Sequence, residues 1–459
     1  MANFFKATPK TQKLGKQSTL KISRLDFNGC GVGSYQNKSI FIEGALPSET
    51  IIAKIIEQKS KYFRGKLLEV VSPSDMRIKA ECLHFSICGG CDLQHLKFEE
   101  HLSFKQLKVA ELFARNGVIL NNAQKDRPNS QQKSQFPNSE SNLPWQAPII
   151  SQAWHYRRKA RIGVQYNKNG QATIGFRQRG SNQLVAIKNC PVLVEPFAAL
   201  FKPLNELLAK LSGTNPIGHI EIIATQVNTL IVRQLVNMSA QDKGLWLGFS
   251  EQYQCQIMVD DGKNISALSH CEPLSYYIDD DIKLQFNADY FIQVNHDVNT
   301  KMVAQALKWL ALEPQDIVLD LFCGLGNFSL PLAKRVKEVT GVEGVDKMVA
   351  QAEKNALQNN INNCQFYQAD LNSNWQSYPW VNKPFNKVLI DPARAGAFKA
   401  IEQVVKLNIQ QLLYVSCDPT TLAKDSALLL SHGYRIEKIS LIDMFSQTKH
   451  IETMVLFIR

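Results

Sequence analysis

The sequence predicts an α/β protein in which a mainly parallel sheet is wound between helices, behind a small β-barrel and a mixed α+β middle region. Three observations carry that reading. From Phe291 onward, short apolar runs alternate with helix-length segments, the rhythm of βαβ units in a doubly wound sheet. Residues 18–71 alternate apolar and polar side chains over short stretches separated by Gly- and Pro-bearing turns, as in a small barrel. Between these regions, residues 155–290 read mostly as strands, with at least one helix near 196–212.

In chain order, "TLKISRLDF", "SIFIEGAL", "TIIAKIIEQ" and "RGKLLEVV" are the barrel strands, and "NGCGVGS" and "LPSE" read as turns. OB-like barrels of this size often bind oligonucleotides. A cysteine cluster follows at 82–91, then a helix over about 97–115. Residues 121–148 hold 18 Asn, Gln, Ser or Pro among 28, too little apolar surface to offset ordering entropy, so a disordered insertion is expected there. In the last region "DIVLDLFCG", "EVTGVE", "CQFYQAD", "KVLIDP" and "QLLYVSC" are strand candidates, and "ETMVLFIR" is a further buried strand. The expected domain limits are 12–72, 73–290 and 291–459.

Composition narrows the function. The chain has 459 residues, 44% hydrophobic and 20% charged, and no run of 18 apolar residues, so no membrane partner is expected. The start, "MANFFKATPKTQKLGKQ", lacks the apolar core of a signal peptide, and ten cysteines without small-domain spacing point to a reducing cytoplasm. Net charge is +11 and unevenly spread: residues 1–25 hold six Lys or Arg and no acid, residues 151–180 seven and no acid. Trp154, His155, Tyr156, Tyr166 and Phe176 are interleaved in the second run. Cations that neutralise phosphates, beside rings that stack on unpaired bases, suit a nucleic acid.

Two segments carry the chemistry. "DLFCGLGN", Asp320 to Asn327, ends a strand and opens a helix, with Gly324 and Gly326 allowing a tight turn and close ligand approach. Glu343 closes the next strand about 20 residues on, where an acid accepts from ribose hydroxyls. That pattern fits NAD and S-adenosylmethionine alike. The missing third glycine argues against a pyrophosphate, and Asp370 and Asp391 add negative charge that suits a cationic sulfonium.

The second segment is "LYVSCDPTTLAKD", where Cys417 sits on a strand-to-helix turn. If the last strand runs antiparallel to the others, Glu452 lies beside Cys417 although 35 positions away. A thiol next to a carboxylate suits methylation of uracil carbon 5: thiolate addition at carbon 6 makes carbon 5 electron-rich, and a base then removes its hydrogen. Cys417 is the expected nucleophile and Glu452 the expected base. The turn N–H groups and helix start are expected to lower the thiol pKa, and the carboxylate to be ionised already. Arg394, in "LIDPARAGA", can face a phosphate or the uracil edge. The target base must leave its stack, at a cost of a few kcal/mol. "CLHFSICGGCDLQH" places Cys82, Cys88 and Cys91 at C-x5-C-x2-C spacing, and Cys190 in "IKNCPVL" can supply a fourth thiolate. Four thiolates fit zinc or a [4Fe–4S] cluster, and His84 or His95 could replace one. The spacing is not the C-x3-C-x2-C of an open radical-type cluster, so a closed structural centre is expected.

With these motifs together, the chain resembles the bacterial RNA (uracil-5-)-methyltransferase family, most of all its large-subunit rRNA members with a TRAM domain and a [4Fe–4S] cluster. The likeness rests on "DFNGCGVGSYQNKSIFIEGALPSET", the cysteine motif with "NCP", "FIQVN", "DLFCGLGNFSLPLA", "GVE", "IDPARAG", "SCDPTTLAKD" and "HIETM". It implies an N-terminal TRAM barrel, a central domain holding the cluster, and a Rossmann-like class I methyltransferase domain whose last strand is antiparallel. It further implies Gln293, Phe322, Asn327, Glu343, Asp370 and Asp391 at the S-adenosylmethionine site. Cys417 and Glu452 become the catalytic pair, and Cys82, Cys88, Cys91 and Cys190 the iron ligands. The implied partner is 23S rRNA or a large-subunit precursor, met by a monomer. Two positions depart from the family: Asp418 stands where relatives often have Asn, and Ser48 where Gly is usual.

Overall fold

A computed structural model of the chain describes residues 15–118 and 143–459. Five strands come first: β1 (Gln17–Leu25), β2 (Gly31–Tyr35), β3 (Lys38–Ile42), β4 (Thr50–Gln58) and β5 (Tyr62–Ser72). They close a barrel in the order β1-β2-β3-β5-β4. Alternate residues Leu20, Ile22, Ile40, Ile42, Ile51, Ala53, Ile55 and Phe63 fill its interior, as the sequence alternation requires. One expectation is corrected. "NGCGVGS" is not only a turn, because its second half is β2. A Cβ on Gly31 would lie 2.7 Å from the Ala45 carbonyl oxygen, and one on Gly33 2.8 Å from that of Lys21. These two glycines therefore serve close backbone approach, not chain reversal.

Ser48, in the turn before β4, holds a left-handed φ of 69°. A side chain there costs about 1–2 kcal/mol, which explains why glycine suits the position. Ser48→Gly is expected to stabilise the barrel by about 0.5–1 kcal/mol after glycine's own entropy is deducted. A denaturant midpoint that falls in this variant would refute the strain.

Helix α1 (Phe98–Arg115) follows, and then a seven-stranded sheet. Its strands are β6 (Lys159–Tyr166), β7 (Ala172–Arg177), β8 (Leu184–Ala186), β9 (Ile217–Ile223), β10 (Thr229–Gln234), β11 (Gln256–Asp260) and β12 (Ile265–Ala267). They lie in the order β12-β11-β10-β9-β6-β7-β8. Helices α2 (Phe201–Leu208) and α3 (Ala240–Tyr253) share its core through Phe201, Leu204, Trp246 and Phe249. A hairpin, β13 (Ser275–Ile278) and β14 (Ile282–Gln285), leads to the last region.

There α4 (His296–Leu310), β15 (Ile317–Leu321), α5 (Ser329–Ala333), β16 (Glu338–Glu343), α6 (Asp346–Gln358), β17 (Cys364–Gln368) and β18 (Lys387–Ile390) are followed by α7 (Phe398–Val404), β19 (Gln411–Ser416), α8 (Pro419–Ser431), β20 (Arg435–Ile442) and β21 (Glu452–Ile458). The strand order is β17-β16-β15-β18-β19-β21-β20. The chain reverses its direction of travel between β15 and β18, which opens a crevice at the carboxyl ends of those strands. β21 is antiparallel to both neighbours, as expected for the last strand. β20 was not foreseen from the sequence.

The expected disordered insertion falls mostly on residues 119–142, which lie outside the described residues. Residues 143–148 correct that expectation. Trp145 and Ile149 bridge Ile439 and Ile442 in parallel register, and the Gln146 N–H donates to the Ile439 carbonyl at 2.7 Å. A sheet edge supplies partners that composition does not reveal. Among the described residues no helix is long and apolar enough to cross a membrane.

Candidate active site

The edge of the last sheet gathers the residues expected to hold the cofactor. After β15 the backbone turns through Phe322 (φ 62°), Gly324 (55°) and Gly326 (89°). An aromatic residue in the left-handed region is rare, and such strain clusters at functional turns. It is held by the Phe322 N–H, which donates to the Val342 carbonyl at 2.8 Å. Glu343, ending β16, accepts from the N–H of Gly324 at 3.2 Å and of Val345 at 3.0 Å, so its carboxylate braces the glycine turn. Asn327 exchanges amide hydrogen bonds of 3.0 Å with Asn299 of α4 and accepts from the Tyr276 hydroxyl at 3.2 Å. Gln293 leads into α4, and its carbonyl accepts from Arg158 Nε at 2.9 Å. Asp391 directly follows β18. Asp370 is exposed beyond β17 and accepts from the Asn372 N–H at 2.9 Å.

Sequence reasoning missed one acid here. Asp320, 1% exposed near the end of β15, accepts from the Ser329 hydroxyl through one oxygen, while its Oδ1 has no hydrogen-bond partner. The signal was present, since an acid inside a strand of buried apolar residues rarely lacks a partner or a task. Burial pushes Asp320 up to about 7, with Asp391 and Glu343 adding to the rise and the Ser329 hydroxyl opposing it. Burial likewise pushes Asp391 up to about 7. This edge is rich in carboxyl groups whose ionisation burial opposes.

Register brings the catalytic candidates together. β19 and β21 pair from Gln411↔Ile458 to Ser416↔Thr453, so one further step sets Cys417 opposite Glu452. Directly opposed residues of an antiparallel pair have Cα atoms about 5 Å apart. The ionisation of both groups runs contrary to the sequence expectations. Burial, then the Glu452 and Asp391 carboxyls, push the Cys417 thiol up to about 11, against the pull of Arg394. Burial, then Asp391, push Glu452 up to about 8, against Lys105 and Arg394. Desolvation outweighs the turn's N–H groups and the nearby Arg394 because it penalises a charge on either group. Asp418, the family departure, caps α8, accepting from the N–H of Thr420 at 2.8 Å.

Two buried carboxylates support this edge from behind. Asp425 of α8 accepts from the Tyr414 hydroxyl at 2.7 Å and the Ala397 N–H at 2.8 Å, which anchors the turn bearing Arg394. Lys105 of α1 pairs with Asp443 at 2.7 Å, both side chains at most 1% exposed. That pair ties a helix remote in sequence to the segment leading into β21. Lys105→Met strands the Asp443 charge and is expected to cost about 3–5 kcal/mol of unfolding free energy. Denaturant titration checks this, and a loss below 1 kcal/mol would contradict it.

The four cysteines of the cluster motif come from two segments that pack together. Cys88 bridges Gln178, Gly89 donates to the Arg177 carbonyl, and Arg179 donates to that of Cys91. The thiols of Cys82, Cys88 and Cys190 each act on the ionisation of Cys91, and those of Cys82 and Cys88 on Cys190. Cys88 Sγ accepts from the Gly90 N–H at 3.4 Å, and backbone N–H groups of Val192 and Leu193 face Cys190. Among the described residues no three such side chains are drawn in as a metal-binding group. The donor set, four half-buried to buried thiols ringed by backbone N–H groups, nonetheless has the chemistry that an iron–sulfur cluster uses.

Residues 142–459 match the family described as tRNA (Uracil-5-)-methyltransferase. The 23S rRNA (uracil(1939)-C(5))-methyltransferase RlmD of Colwellia psychrerythraea is 50% identical, covering 100% of this chain and 99% of that protein. Its namesake from Photobacterium profundum is 43% identical, covering 100% and 97%. The crystal structure of Pyrococcus abyssi tRNA (uracil-54, C5)-methyltransferase with S-adenosyl-L-homocysteine aligns with a TM-score of 0.73 at 22% identity, over 96% of this chain and 99% of that one, a likeness of fold. A crevice of carboxyl groups beside a paired thiol and carboxyl, carried on a chain this similar along its whole length, leaves one reading: the protein is an enzyme that belongs to the RNA uracil-5-methyltransferase family.

Proposed function

We propose that the enzyme transfers a methyl group from S-adenosylmethionine to carbon 5 of a uridine in 23S rRNA, at the position named in its relatives, uracil 1939. The carrying observation is the register that sets Cys417 opposite Glu452 at the carboxyl-rich edge. S-adenosylmethionine brings an electrophilic methyl group on a cationic sulfur. Gln293, Phe322, Asn327, Glu343, Asp370 and Asp391 are the residues that would hold it. Asp391, Asp320 and Glu452, raised by burial to between about 7 and about 8, would favour their ionised forms beside that cation.

The covalent route follows from the two side chains. The Cys417 thiol gives up its proton to solvent and the thiolate bonds to carbon 6, while the C5–C6 π electrons move onto the carbonyl oxygen at carbon 4. Carbon 5 of the resulting enolate takes the methyl group as the donor's methyl–sulfur bond breaks, which leaves the neutral thioether S-adenosylhomocysteine. Glu452 then removes the carbon 5 proton, the double bond re-forms, and the C6–S bond breaks to return the thiolate. Arg394, which favours both ionised groups, stabilises the site as charge develops.

The remaining regions fit the same reading. The barrel within residues 12–72 acts as a TRAM-type RNA-binding domain. Residues 73–290 carry RNA-binding surface and a closed [4Fe–4S] centre on Cys82, Cys88, Cys91 and Cys190, and residues 291–459 carry the chemistry. The protein works as a monomer in the cytoplasm. Incubation with labelled methyl donor and 23S rRNA or tRNA transcripts tests the substrate, and 5-methyluridine is expected at uracil 1939 of the rRNA. Methylation of tRNA alone would replace the rRNA assignment. Anaerobically purified protein is expected to be brown and to contain about four irons, whereas a colourless zinc protein would overturn the cluster.

A further inference from the structure

We infer that a cavity in front of α4 is a phosphate-binding subsite, built by Arg158 and the amino end of that helix, which takes a backbone phosphate of the substrate RNA strand. The RNA source rests on the function proposed above; the phosphate chemistry does not. The cavity measures about 550 Å³ and is lined by Arg158, His155, Asn228, Asn295 and His296, among others.

Arg158 is the reason to look there. It is 4% exposed, yet among the described residues no carboxylate pairs with it. Its Nε donates to the Gln293 carbonyl, its Nη1 lies 3.2 Å from His296 Nδ1, and its guanidinium sits 4.4 Å over the Tyr276 ring. Nη2 is buried without a hydrogen-bond partner. A buried guanidinium with no counter-ion is costly, and it is repaid when an anion arrives.

The helix supplies the second half. α4 has 15 residues, and Asn295 caps it by accepting from the Val298 N–H at 3.2 Å. The remaining first-turn N–H groups have no intrahelical acceptor and carry the positive end of the helix dipole. Two acids also line the cavity. Asp297 pairs with Lys301 at 2.8 Å, and Glu195 lies 3.9 Å from His155. Both carboxylates are more than half exposed to water, whereas the Arg158 guanidinium is buried.

The position connects binding to chemistry. The guanidinium that would meet the phosphate also holds the Gln293 carbonyl and covers Tyr276, whose hydroxyl bonds Asn327. Both Gln293 and Asn327 are cofactor-site candidates. The cavity also adjoins the acid-free basic run of residues 151–180, which would guide a polyanion to it.

The test uses target RNA fragments with one neutral methylphosphonate linkage moved step by step past the uridine. In the wild-type enzyme one linkage is expected to weaken binding roughly tenfold, the worth of a charge-assisted contact. In Arg158→Gln, unmodified RNA should bind roughly tenfold more weakly and that linkage should no longer matter, because the two changes remove one interaction. Gln226→Glu, an exposed change at the cavity wall that spares the buried network, should act likewise. In parallel, inorganic phosphate is titrated against the wild-type enzyme while the His296 imidazole is followed by NMR. Phosphate that shifts His296, with no sensitive linkage in the RNA, would reassign the subsite to free phosphate and overturn its RNA role. Neither response would overturn the subsite altogether. RNA that is methylated without any Arg158-dependent linkage leaves the proposed function standing, whereas absence of RNA methylation strikes that function and leaves the phosphate titration to judge the cavity.

Discussion

Cys417→Ala is expected to abolish methyl transfer, with turnover falling by about 10⁴ or more, as when a covalent nucleophile is removed. Carbon 5 of uracil is too poor a nucleophile to take a methyl group unaided, so the loss falls on the chemical step. The change removes a half-buried thiol on a turn whose helix cap belongs to Asp418 and whose strand pairing belongs to the backbone. Folding and RNA affinity should therefore stay within a few-fold. Tritium transfer to RNA and a filter-binding assay read the two halves separately. Turnover above about 1% of the wild type would remove Cys417 from the mechanism.

Glu452→Gln is expected to stall the reaction one step later. The amide keeps the shape and the buried position but cannot take a proton. Addition and methylation should proceed, and the methylated adduct should persist as a slow band on a denaturing gel. Multiple turnover should fall by about 10²–10⁴, the usual worth of a positioned base. Ionisation adds a sign that can be checked. With Glu452 raised to about 8, the carboxylate fraction grows as pH rises through that value, so adduct breakdown in the wild type should accelerate toward alkaline pH. The variant has no such group and its adduct should be insensitive over the same range. Free turnover by the variant, or an equal pH response, would mean that another base operates.

Both predictions depend on a proximity that was legible only as a conditional. The sequence shows a strand ending at Cys417 and another beginning at Glu452, and only their antiparallel pairing lets the two side chains meet. Sheet register met it to within one residue, because a slip of one position would turn every buried side chain of β21 to the opposite face. β20 escaped notice for the converse reason. "RIEKISLI" mixes charged and apolar residues, and it becomes a strand because β21 supplies its ladder on one side and residues 145–149 on the other. The Lys105–Asp443 pair joins positions 338 apart, and no local pattern could announce it.

What the sequence determined by itself were the quantities set by local chemistry: the barrel alternation, the glycine turn after β15, the acid closing β16, and the cysteine spacing. Each follows from backbone sterics or side-chain periodicity acting over a few residues. Only the tertiary structure decided how the catalytic groups ionise. Stacked acids and excluded water raised the thiol to about 11 and its partner carboxyl to about 8, where the residues alone had suggested the reverse. Solvation is a property of the whole surrounding fold, and no stretch of chain carries it alone.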